Sequence, residues 1–402
     1  MSKILDLIQQ ETNRQANTIR LIASENYASQ DILTALGSSL TNKYSEGYPQ
    51  HRYYEGQEFI DQIEIFAIEN AKQLFQSKFA NVQAYSGSPA NLAVYLALLN
   101  PNDTIMGLAL SSGGHLTHGH KVSISGKWLN SISYGLTPEV YIDYDQIEQL
   151  AQEHKPKLII SGHSAYPRQI DFKRIGDIAK SIGAYHLADI SHISGLVATE
   201  LHPHPFPDAD IITTTTHKIL RGPRGALILT NDADLAQRID KAVFPGLQGG
   251  PHNNNIAGIA IALEDALKPT YTDYCKQVIL NAQALSQALQ NLRFKIVSGG
   301  TENHLLLLDL RNKNIDGDTL SKALNKVNIE TNKNTIPFDT ASPFKPNGIR
   351  LGTPAVTTLG LKEQNMETIA EFISQVVNNI DNQSQLEKIK THVIEFISKF
   401  KY

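Results

Sequence analysis

A lysine stands just beyond a run of β-branched residues typical of a strand. Thr213–Thr216 is followed by His217 and Lys218. A lysine at the carboxyl end of a parallel strand lies at the crevice where α/β sheets bind ligands. Partial desolvation there lowers the pKa of an amine and makes it a nucleophile for Schiff-base formation. An ordinary surface lysine explains the same pattern, and this segment alone leaves both interpretations open.

An aspartate ends a second strand-like run, Tyr185–Asp189. A carboxylate at this position can accept a hydrogen bond from a protonated pyridine nitrogen. That pairing supports the electron-sink chemistry of pyridoxal phosphate. Capping of a following helix is the alternative role for Asp189.

A third segment, Tyr85–Asn91, follows a predicted strand and opens a predicted helix. We expect Ser88 at the N-cap and Pro89 at the first helical position. Free backbone N–H groups and the positive end of the helix dipole would bind a phosphate there, although ordinary capping accounts for the same residues. Each segment alone has an ordinary explanation. An anion site, an aspartate and a lysine at the same edge of one sheet together favour a catalytic site.

The loop Gly113–His120 contains three histidines. Their spacing matches no usual set of zinc ligands, and the single cysteine, Cys275, is far away in the sequence. We therefore predict no metal site. A histidine stacked on a flat ring, or plain loop histidines, explain the segment better.

Two further segments suit a binding site. Asn42–Gly56 packs tyrosines, glycines and charges closely together, which is poor core material. Gly348–Pro354 places Arg350 between glycines, and arginine is the natural bidentate ligand of a carboxylate. The alternative for Asn42–Gly56 is a surface loop without a function in binding. The alternative for Arg350 is an ion pair at the surface.

Strand-like runs alternate with amphipathic helical patterns through the first two thirds of the chain, which predicts a mainly parallel sheet covered on both faces. The predicted strands are Asn81–Tyr85, Thr104–Leu110, Lys157–Ser161, Ala184–Asp189, Asp210–Thr215 and Ala226–Thr230. The helical patterns here are Glu58–Phe75 and Asp171–Ile182. Only a short link precedes Ala226–Thr230, so this strand is expected to depart from the parallel arrangement.

Near residue 270 the pattern changes to that of a smaller α+β domain. Its predicted elements are a helix Asp273–Leu292, a strand His304–Leu310, and helices Asp318–Val327, Lys362–Asn378 and Ser384–Phe400. The loop between residues 332 and 348 is rich in Asn, Pro, Thr and Lys.

The composition excludes several classes of protein. The chain has 402 residues, of which 41% are apolar and 19% charged, so it is not a disordered chain. A net charge of −4 without a long basic run argues against a nucleic-acid partner. No apolar run approaches the roughly 18 residues of a membrane span. One cysteine and no signal-peptide core favour a reducing compartment, and we predict a cytoplasmic protein.

Taken in order, these segments resemble those of the serine hydroxymethyltransferases, a pyridoxal-phosphate family with the aspartate-aminotransferase fold, called fold type I. The matching stretches are Leu21–Asn26, Tyr44–Tyr54, Ser86–Ser88, Gly113–Gly119, Ser164–Tyr166, Asp189–Gly195, Thr213–Lys218, Gly222–Gly225, Gly246–Pro251, Asn332–Asn334 and Gly348–Thr353. The similarity runs from Leu21 to the C-terminal helices.

The resemblance implies an α/β fold. Its large domain has a mainly parallel seven-stranded sheet sandwiched by helices, and a smaller α+β domain lies at the C-terminus. We place an N-terminal arm that contacts a dimer partner at residues 1–50. The large domain, which binds pyridoxal phosphate, is placed at 51–270 and the small domain at 271–402.

The resemblance also implies roles for individual residues. Lys218 would hold the cofactor as an internal aldimine, Asp189 would pair with the pyridine nitrogen, and His115 would stack on the ring. The implied catalytic residues are Lys218, Glu46, Asp189, His115 and Tyr54. The implied cofactor-binding residues are Ser86, Gly87, Ser88, His115, Ser164, Asp189, His192, His217, Lys218, Gly249 and Gly250. The implied substrate-binding residues are Ser24, Tyr44, Glu46, Tyr54 and Arg350. The implied folate-binding residues are Leu110, Gly114, Leu116 and Asn334.

The implied reaction is reversible transfer of the serine hydroxymethyl group to tetrahydrofolate through an external aldimine, giving glycine and 5,10-methylenetetrahydrofolate. Glu46 is the candidate for moving a proton at the serine hydroxyl. A homodimer with shared active sites is expected, in which Glu46, Tyr44 and Tyr54 cross the interface and Gly249 and Gly250 come from the partner. The alternative is a pyridoxal-phosphate aldolase that cleaves β-hydroxy amino acids such as threonine without folate.

Four residues depart from the usual pattern of this family, and they leave folate affinity and substrate range open. They are Glu55 in the tyrosine-rich loop, His163 before Ser164, Ile219 after the lysine, and Asn254 in the second glycine-rich segment.

Overall fold

The computed structural model describes residues 2–400. The α-helices are α1 Lys3–Ala16, α2 Gln30–Leu36, α3 Glu58–Leu74, α4 Gly87–Leu98, α5 Ile124–Trp128, α6 Tyr144–His154, α7 Phe172–Ile182, α8 Ser194–Ala198, α9 Ala233–Lys241, α10 Asn253–Ala266, α11 Pro269–Asn291, α12 Gly317–Lys326, α13 Pro354–Thr358, α14 Glu363–Asn378 and α15 Gln383–Ile397. The strands are β1 Ile19–Arg20, β2 Gly47–Tyr48, β3 His51–Arg52, β4 Phe79–Asn81, β5 Thr104–Leu108, β6 Asn130–Tyr134, β7 Leu158–Gly162, β8 Tyr185–Asp189, β9 Ile211–Thr215, β10 Ala226–Thr230, β11 Lys295–Ile296, β12 Leu305–Asp309, β13 Ile329–Glu330, β14 Asn332–Asn334 and β15 Gly348–Gly352. Among residues 2–400, no helix has both the length and the apolar composition that crossing a membrane requires.

The chain divides into two compact units. The large unit comprises Ala28–Ser164 and Gln169–Cys275, and the small unit comprises Met1–Tyr27, Ala165–Arg168 and Lys276–Tyr402. The N-terminal segment groups with the C-terminal residues because β1 pairs in parallel with β13. The functional division into an arm at residues 1–50, a large domain at 51–270 and a small domain at 271–402 stays a prediction.

A seven-stranded sheet organises the large unit, in the order β4-β10-β9-β8-β7-β5-β6. The neighbouring strands from β9 through β8, β7 and β5 to β6 run parallel. Strand β10 runs antiparallel to both β9 and β4, which confirms the expected exception at Ala226–Thr230. Every residue of β7, β9 and β10 is buried, as expected for strands covered on both faces.

One strand prediction for this sheet was wrong, and one strand was not predicted. Strand β4 ends at Asn81, before most of the predicted strand Asn81–Tyr85, because the following N–H groups bind side chains. Gln83 N donates to Asn81 Oδ1 at 3.0 Å, and Tyr85 N donates to Gln248 Oε1 at 3.0 Å. The edge strand β6 was missed because only two of its five residues, Ile132 and Tyr134, are apolar and three are exposed.

The helices of the large unit bury one face against the sheet. In α7, for example, Phe172, Ile175 and Ile178 are buried at helical spacing. The Asp171 side chain accepts from Arg174 N at 2.9 Å and caps the first turn of this helix. Gly183 ends α7 with φ 71°, a conformation that glycine adopts without strain. The turn therefore brings the chain directly into β8.

An antiparallel four-stranded sheet, in the order β11-β12-β15-β14, forms the centre of the small unit. Its core combines Leu306 and Leu308 of β12 with Ile349 of β15 and apolar residues of α12, α14 and α15. This arrangement agrees with the predicted α+β character of the C-terminal region. Every residue of β15 is buried, so a charged side chain on this strand has little access to water.

Candidate active site

Asp189 and Lys218 lie at the same edge of the large sheet. Asp189 is the last residue of β8, and it is paired in register with Thr213 of the parallel strand β9. Lys218 follows three residues after the end of β9. Both side chains are buried, with 7% of Asp189 and 9% of Lys218 exposed. The expected juxtaposition of two strand ends is therefore present.

The Asp189 carboxylate is held by neighbours on both oxygens. Its Oδ2 accepts from Asn91 Nδ2 at 2.8 Å and lies 3.0 Å from His118 Nε2, and its Oδ1 accepts from Ser191 N at 3.1 Å. Burial opposes ionisation, but the hydrogen bond and charge of His118 hold the pKa of Asp189 below its usual range. A carboxylate has about four acceptor positions, so it can still accept from a further donor.

Two of these neighbours were missed as site residues. Asn91 also donates to Thr117 Oγ1 at 2.9 Å and accepts from Thr213 Oγ1 at 2.7 Å, so its amide is fixed from several sides. His118 was treated only as one of three loop histidines. Helical spacing was an available signal for Asn91, because it stands one turn after Gly87 and faces the sheet.

His115 presents a neutral ring close to this network. Burial lowers the pKa of His115 to about 4. Its Nδ1 lies 3.2 Å from Thr117 N and 2.7 Å from Thr117 Oγ1. Because the Thr117 N–H can only donate, Nδ1 is the acceptor and Nε2 carries the proton. A flat neutral imidazole of this kind suits stacking on an aromatic ring.

Ligand atoms of His115, His118 and Asp189 lie within 4.8 Å of one another, a grouping that a metal ion could use. The contacts of Asp189 Oδ2 with Asn91 and His118 account for the grouping without an ion. The absence of a metal stays a prediction.

The helix that follows β4 begins earlier than predicted. Ser86 is the N-cap of α4 and Gly87 its first residue, whereas Ser88 and Pro89 were expected in these positions. The difference arises because Ala90 N already donates to Ser86 O at 3.0 Å. The N–H groups of Gly87 and Ser88 have no acceptor inside the helix, and the Ser86 side chain does not cap them.

The start of α4 lies close against β9. A Cβ atom built on Gly87 would stand 2.6 Å from Thr215 Cγ2, so a side chain larger than that of glycine would move the helix away.

His217, two residues after Thr215, has a buried Nδ1 with no hydrogen-bond partner among residues 2–400. Burial lowers the pKa of His217 to about 3. A ring nitrogen and free N–H groups are a donor set that suits a phosphate.

The turn that carries Lys218 is tightly tied. Thr216 Oγ1 donates to Pro223 O at 2.7 Å, and Gly222 N donates to Thr216 O at 2.7 Å. The hydroxyl of Tyr271 donates to the carbonyl of Ile219 at 3.0 Å. Ile219 is fully buried, so its apolar side chain suits the position where the family commonly has threonine.

The remaining predicted cofactor residues of the large unit follow neighbouring strands. His192 is buried after β8, with its ring centroid 6.4 Å from that of His163. Burial lowers the pKa of His163 to about 3, so this departure from the family pattern adds a neutral ring. Ser164 N donates to Gly113 O at 2.7 Å, beside Gly114, where a Cβ atom would stand 2.0 Å from Leu108 O.

A second group of predicted residues, the tyrosine–glutamate cluster, comprises Tyr44, Glu46, Tyr54, Gly249 and Gly250. The Tyr44 and Tyr54 hydroxyls donate to the two oxygens of Glu46, each at 3.3 Å. Positions that Cβ atoms would take on Gly249 and Gly250 lie 3.5 Å from Glu46 Oε1 and 3.2 Å from the Tyr44 ring. Tyr44 is 57% exposed and Tyr54 47% exposed, so the cluster is open to a partner.

In the small unit, Arg350 lies at the middle of β15. Its side chain is buried, and its Nε donates to Asn332 Oδ1 at 3.1 Å. Burial lowers the pKa of Arg350 to about 10, which leaves the guanidinium charged at neutral pH. A buried cation on a sheet is a suitable binding group for a carboxylate.

The segment leading to Ser24 packs beside the end of β15. Gly352 N donates to Leu21 O at 2.8 Å, and a Cβ atom on Gly352 would stand 2.4 Å from Ala23 Cα. Ser24 follows directly and is half-buried. On β14, Asn334 pairs with Gly348, and its Nδ2 donates to Thr335 O at 2.7 Å.

The predicted folate-contacting leucines lie in the large unit, on the loop after β5. Leu110 is 41% exposed and Leu116 is 44% exposed, on either side of the Gly113–Gly114 turn. Their contact with folate stays a prediction.

Comparison with known proteins identifies the group to which these features belong. A family model described as serine hydroxymethyltransferase matches residues 2–373. Proteins named serine hydroxymethyltransferase are 54% identical in Desulfotalea psychrophila and 53% identical in Rickettsia canadensis and in Endomicrobium trichonymphae. Each of these alignments covers 99% of this chain, and they cover 93%, 96% and 96% of the respective relatives. The chain belongs to the serine hydroxymethyltransferase family.

Proposed function

We infer that the protein is an enzyme that reversibly transfers the hydroxymethyl group of serine to tetrahydrofolate, giving glycine and 5,10-methylenetetrahydrofolate. The observation that carries this conclusion is the family match over nearly the whole chain, with relatives named for this activity at 53–54% identity. The same relatives favour the transferase over a folate-independent aldolase.

Pyridoxal phosphate is the cofactor that the donor set of the large unit suits. When bound, it withdraws electrons from the α-carbon of an amino acid. We propose that Lys218 attaches it, that Asp189 binds its ring nitrogen, and that His115 covers its face. The other proposed cofactor-binding residues are Ser86, Gly87, Ser88, Ser164, His192, His217, Gly249 and Gly250.

Asp189 would hold a proton on the cofactor ring nitrogen. Its hydrogen bonds with His118 and with Ser191 N keep the pKa of the carboxyl low despite burial, so it favours the protonated form of a nitrogen that it binds. The neutral imidazole of His115 adds no charge at the ring face. Arg350 would bind the carboxylate of serine, with Ser24 nearby in the same unit.

Glu46 is the proposed group for moving a proton at the serine hydroxyl. Its two oxygens are oriented by the hydroxyls of Tyr44 and Tyr54, which donate to them. A carboxylate positioned in this way can accept a proton from an alcohol and return it later. Tyr44 and Tyr54, exposed in the single chain, would form part of the partner's active site in a homodimer.

Replacement of Glu46 by Gln should lower serine turnover by about 10²-fold, because the amide keeps the shape but cannot take the proton. Steady-state serine cleavage, with glycine binding measured in parallel, tests this. Glycine has no hydroxymethyl group, so its affinity should stay close to that of the wild type. Glu55→Gln, an exposed glutamate of the same loop, is the matched control. Unchanged turnover in Glu46→Gln would remove Glu46 from the reaction.

The folate requirement separates the proposed function from the aldolase alternative. Serine cleavage should be faster with tetrahydrofolate by about tenfold or more, because folate captures the one-carbon unit. Fully oxidised folate, which lacks the reactive secondary amine at N5, is the control and should not accelerate cleavage. If tetrahydrofolate leaves the rate unchanged, the folate-independent aldolase becomes the better assignment. Leu110, Gly114, Leu116 and Asn334 are the proposed folate contacts.

A homodimer and a cytoplasmic location complete the proposal, with no nucleic-acid or membrane partner. Helix α1 supports a dimer, because it has no buried residue and exposes Ile4, Leu5, Leu7 and Ile8. We retain residues 1–50 as the arm, 51–270 as the cofactor domain and 271–402 as the small domain for functional description. The single cysteine, Cys275, is buried and suits a reducing compartment.

A further inference from the structure

The backbone around Glu46 is fixed by hydrogen bonds to each carbonyl from Lys43 to Gly47. Most of these donors are side chains. Lys43 O accepts from Asn253 at 2.7 Å, and Tyr44 O accepts from Gln57 at 3.0 Å. Glu46 O accepts from Tyr53 N at 3.1 Å. Each carbonyl of this short segment therefore has a hydrogen-bond donor, although it lies outside any helix or strand for most of its length.

Arg52 binds the carbonyls of the residues before and after Glu46. Its Nη1 donates to Ser45 O and to Gly47 O, each at 2.9 Å. Its Nε donates to Asp61 at 2.8 Å, and its Nη2 donates to Glu64 Oε2 at 2.6 Å. Only 3% of the Arg52 side chain is exposed. One guanidinium therefore links two helical carboxylates to the loop.

Gln83 reaches the same loop from the segment after β4. Its Nε2 donates to Gly47 O at 2.9 Å and to Glu64 Oε1 at 2.7 Å. Glu64 is 1% exposed and uses both oxygens, one for Gln83 and one for Arg52. The buried carboxylate thus orients both of the donors that meet at Gly47.

A contribution to the stability of the fold does not by itself explain the buried network of Arg52, Glu64 and Gln83. Replacing a buried ion pair by well-packed apolar residues is often neutral or stabilising. What a hydrogen-bonded network adds is a single fixed geometry. Here the geometry that it fixes is that of the carbonyls of Ser45 and Gly47, the two neighbours of Glu46.

We propose that Arg52, Glu64 and Gln83 are positioning residues for Glu46. They hold the backbone on both sides of it, so that its carboxylate keeps one orientation toward the serine hydroxyl. This inference rests on the proposed role of Glu46. Misplacing a reacting group by about 1 Å can cost about 10²-fold in rate, so loss of the anchors has a measurable effect.

Gln83→Met tests the proposal, because methionine has a similar length and no donor. Serine turnover should fall by about tenfold, while affinity for glycine stays within about twofold of the wild type. Glycine lacks the hydroxymethyl group on which Glu46 acts. A loss of glycine affinity equal to the loss of turnover would show general damage to the site and overturn the proposal.

A double-mutant cycle with Glu46→Gln distinguishes positioning from structural damage. Once the carboxylate is gone its orientation no longer matters, so Gln83→Met should change turnover by less than about twofold in that background. The same loss in both backgrounds would overturn the proposal. If Glu46→Gln leaves serine turnover unchanged, Glu46 does not take part in the reaction and it needs no positioning residues. If Glu46→Gln lowers turnover but Gln83→Met does not, the proposed role of Glu46 is kept and the proposed positioning role of Gln83 is rejected.

Asn281→Leu is the matched control for loss of a buried amide. Asn281 is fully buried in the small unit and donates to Thr357 Oγ1 and to Leu361 O, each at 2.9 Å. Asn281→Leu should lower thermal stability, and its effect on turnover should show no coupling to Glu46→Gln.

If the Gln83→Met protein fails to fold, Glu64→Gln is used in its place. Glutamine keeps the side-chain size of Glu64 and removes the charge that holds Arg52. Additive losses in that second cycle would equally overturn the proposal.

Discussion

Lys218→Arg should lower serine turnover by at least about 10³-fold, the largest effect that we expect from a single substitution. Arginine keeps the charge and approximate length of lysine. Its guanidinium stays protonated and cannot attack a carbonyl carbon. The protein should also lose the visible absorbance that borohydride reduction abolishes in the wild type. Turnover measured at saturating serine and added pyridoxal phosphate provides the comparison.

The surroundings of Lys218 explain why no other lysine should substitute for it. Its turn is tied by Thr216 and Gly222 beside the strand end that carries Asp189. Lys180→Arg, at an exposed position of α7, is the matched control and should behave as the wild type. Wild-type turnover in Lys218→Arg would refute the assignment of this lysine. A protein that stays colourless with added pyridoxal phosphate would count against the cofactor itself.

Arg350→Ala should weaken serine binding by about 3 kcal/mol, which is about 10²-fold in Kd. The expected loss is large because Arg350 is buried, where water cannot replace the guanidinium as a partner for a carboxylate. Arg350→Lys should recover part of the affinity, since it restores the charge without the bidentate geometry. Equilibrium titration with serine and with glycine measures both variants.

Arg311→Ala is the control for Arg350, because Arg311 pairs with Asp309 while 49% of its side chain is exposed. Its removal should leave serine affinity within about twofold, because Asp309 keeps Lys295 as an ion-pair partner. An unchanged affinity in Arg350→Ala would place the carboxylate site elsewhere. An equal loss for serine and glycine would locate the effect at the carboxylate that the two ligands share.

Short-range patterns were sufficient to predict the main framework. The β-branched run before Lys218 and the strand ending at Asp189 identified two parallel strands with their reactive residues at the carboxyl ends. The helical patterns at α3 and α7 were predicted to within one residue at each end. These features depend on residue periodicity and on the rule that parallel strands end at the same edge.

Features that depend on partners distant in sequence were missed or misplaced. The strand predicted to Tyr85 stops at Asn81, because Gln248 takes the Tyr85 N–H from far along the chain. Helix α4 begins at Gly87, and the room for only a glycine at this position is set by Thr215, far along the chain. Strand β6 belongs to the sheet through its pairing with β5, and only Ile132 and Tyr134 among its own residues are apolar.

The sequence by itself determined the fold class, the family and the residue types of the site. These properties depend on short patterns of residues and on the order of the patterns along the chain. Only the tertiary structure decided which groups tune and orient those residues. His118 lowers the pKa of Asp189, and Arg52 and Gln83 hold the Gly47 carbonyl next to Glu46. A hydrogen bond depends on distance and direction in space, and residues separated by many positions in the chain meet only when the sheet and its helices have packed.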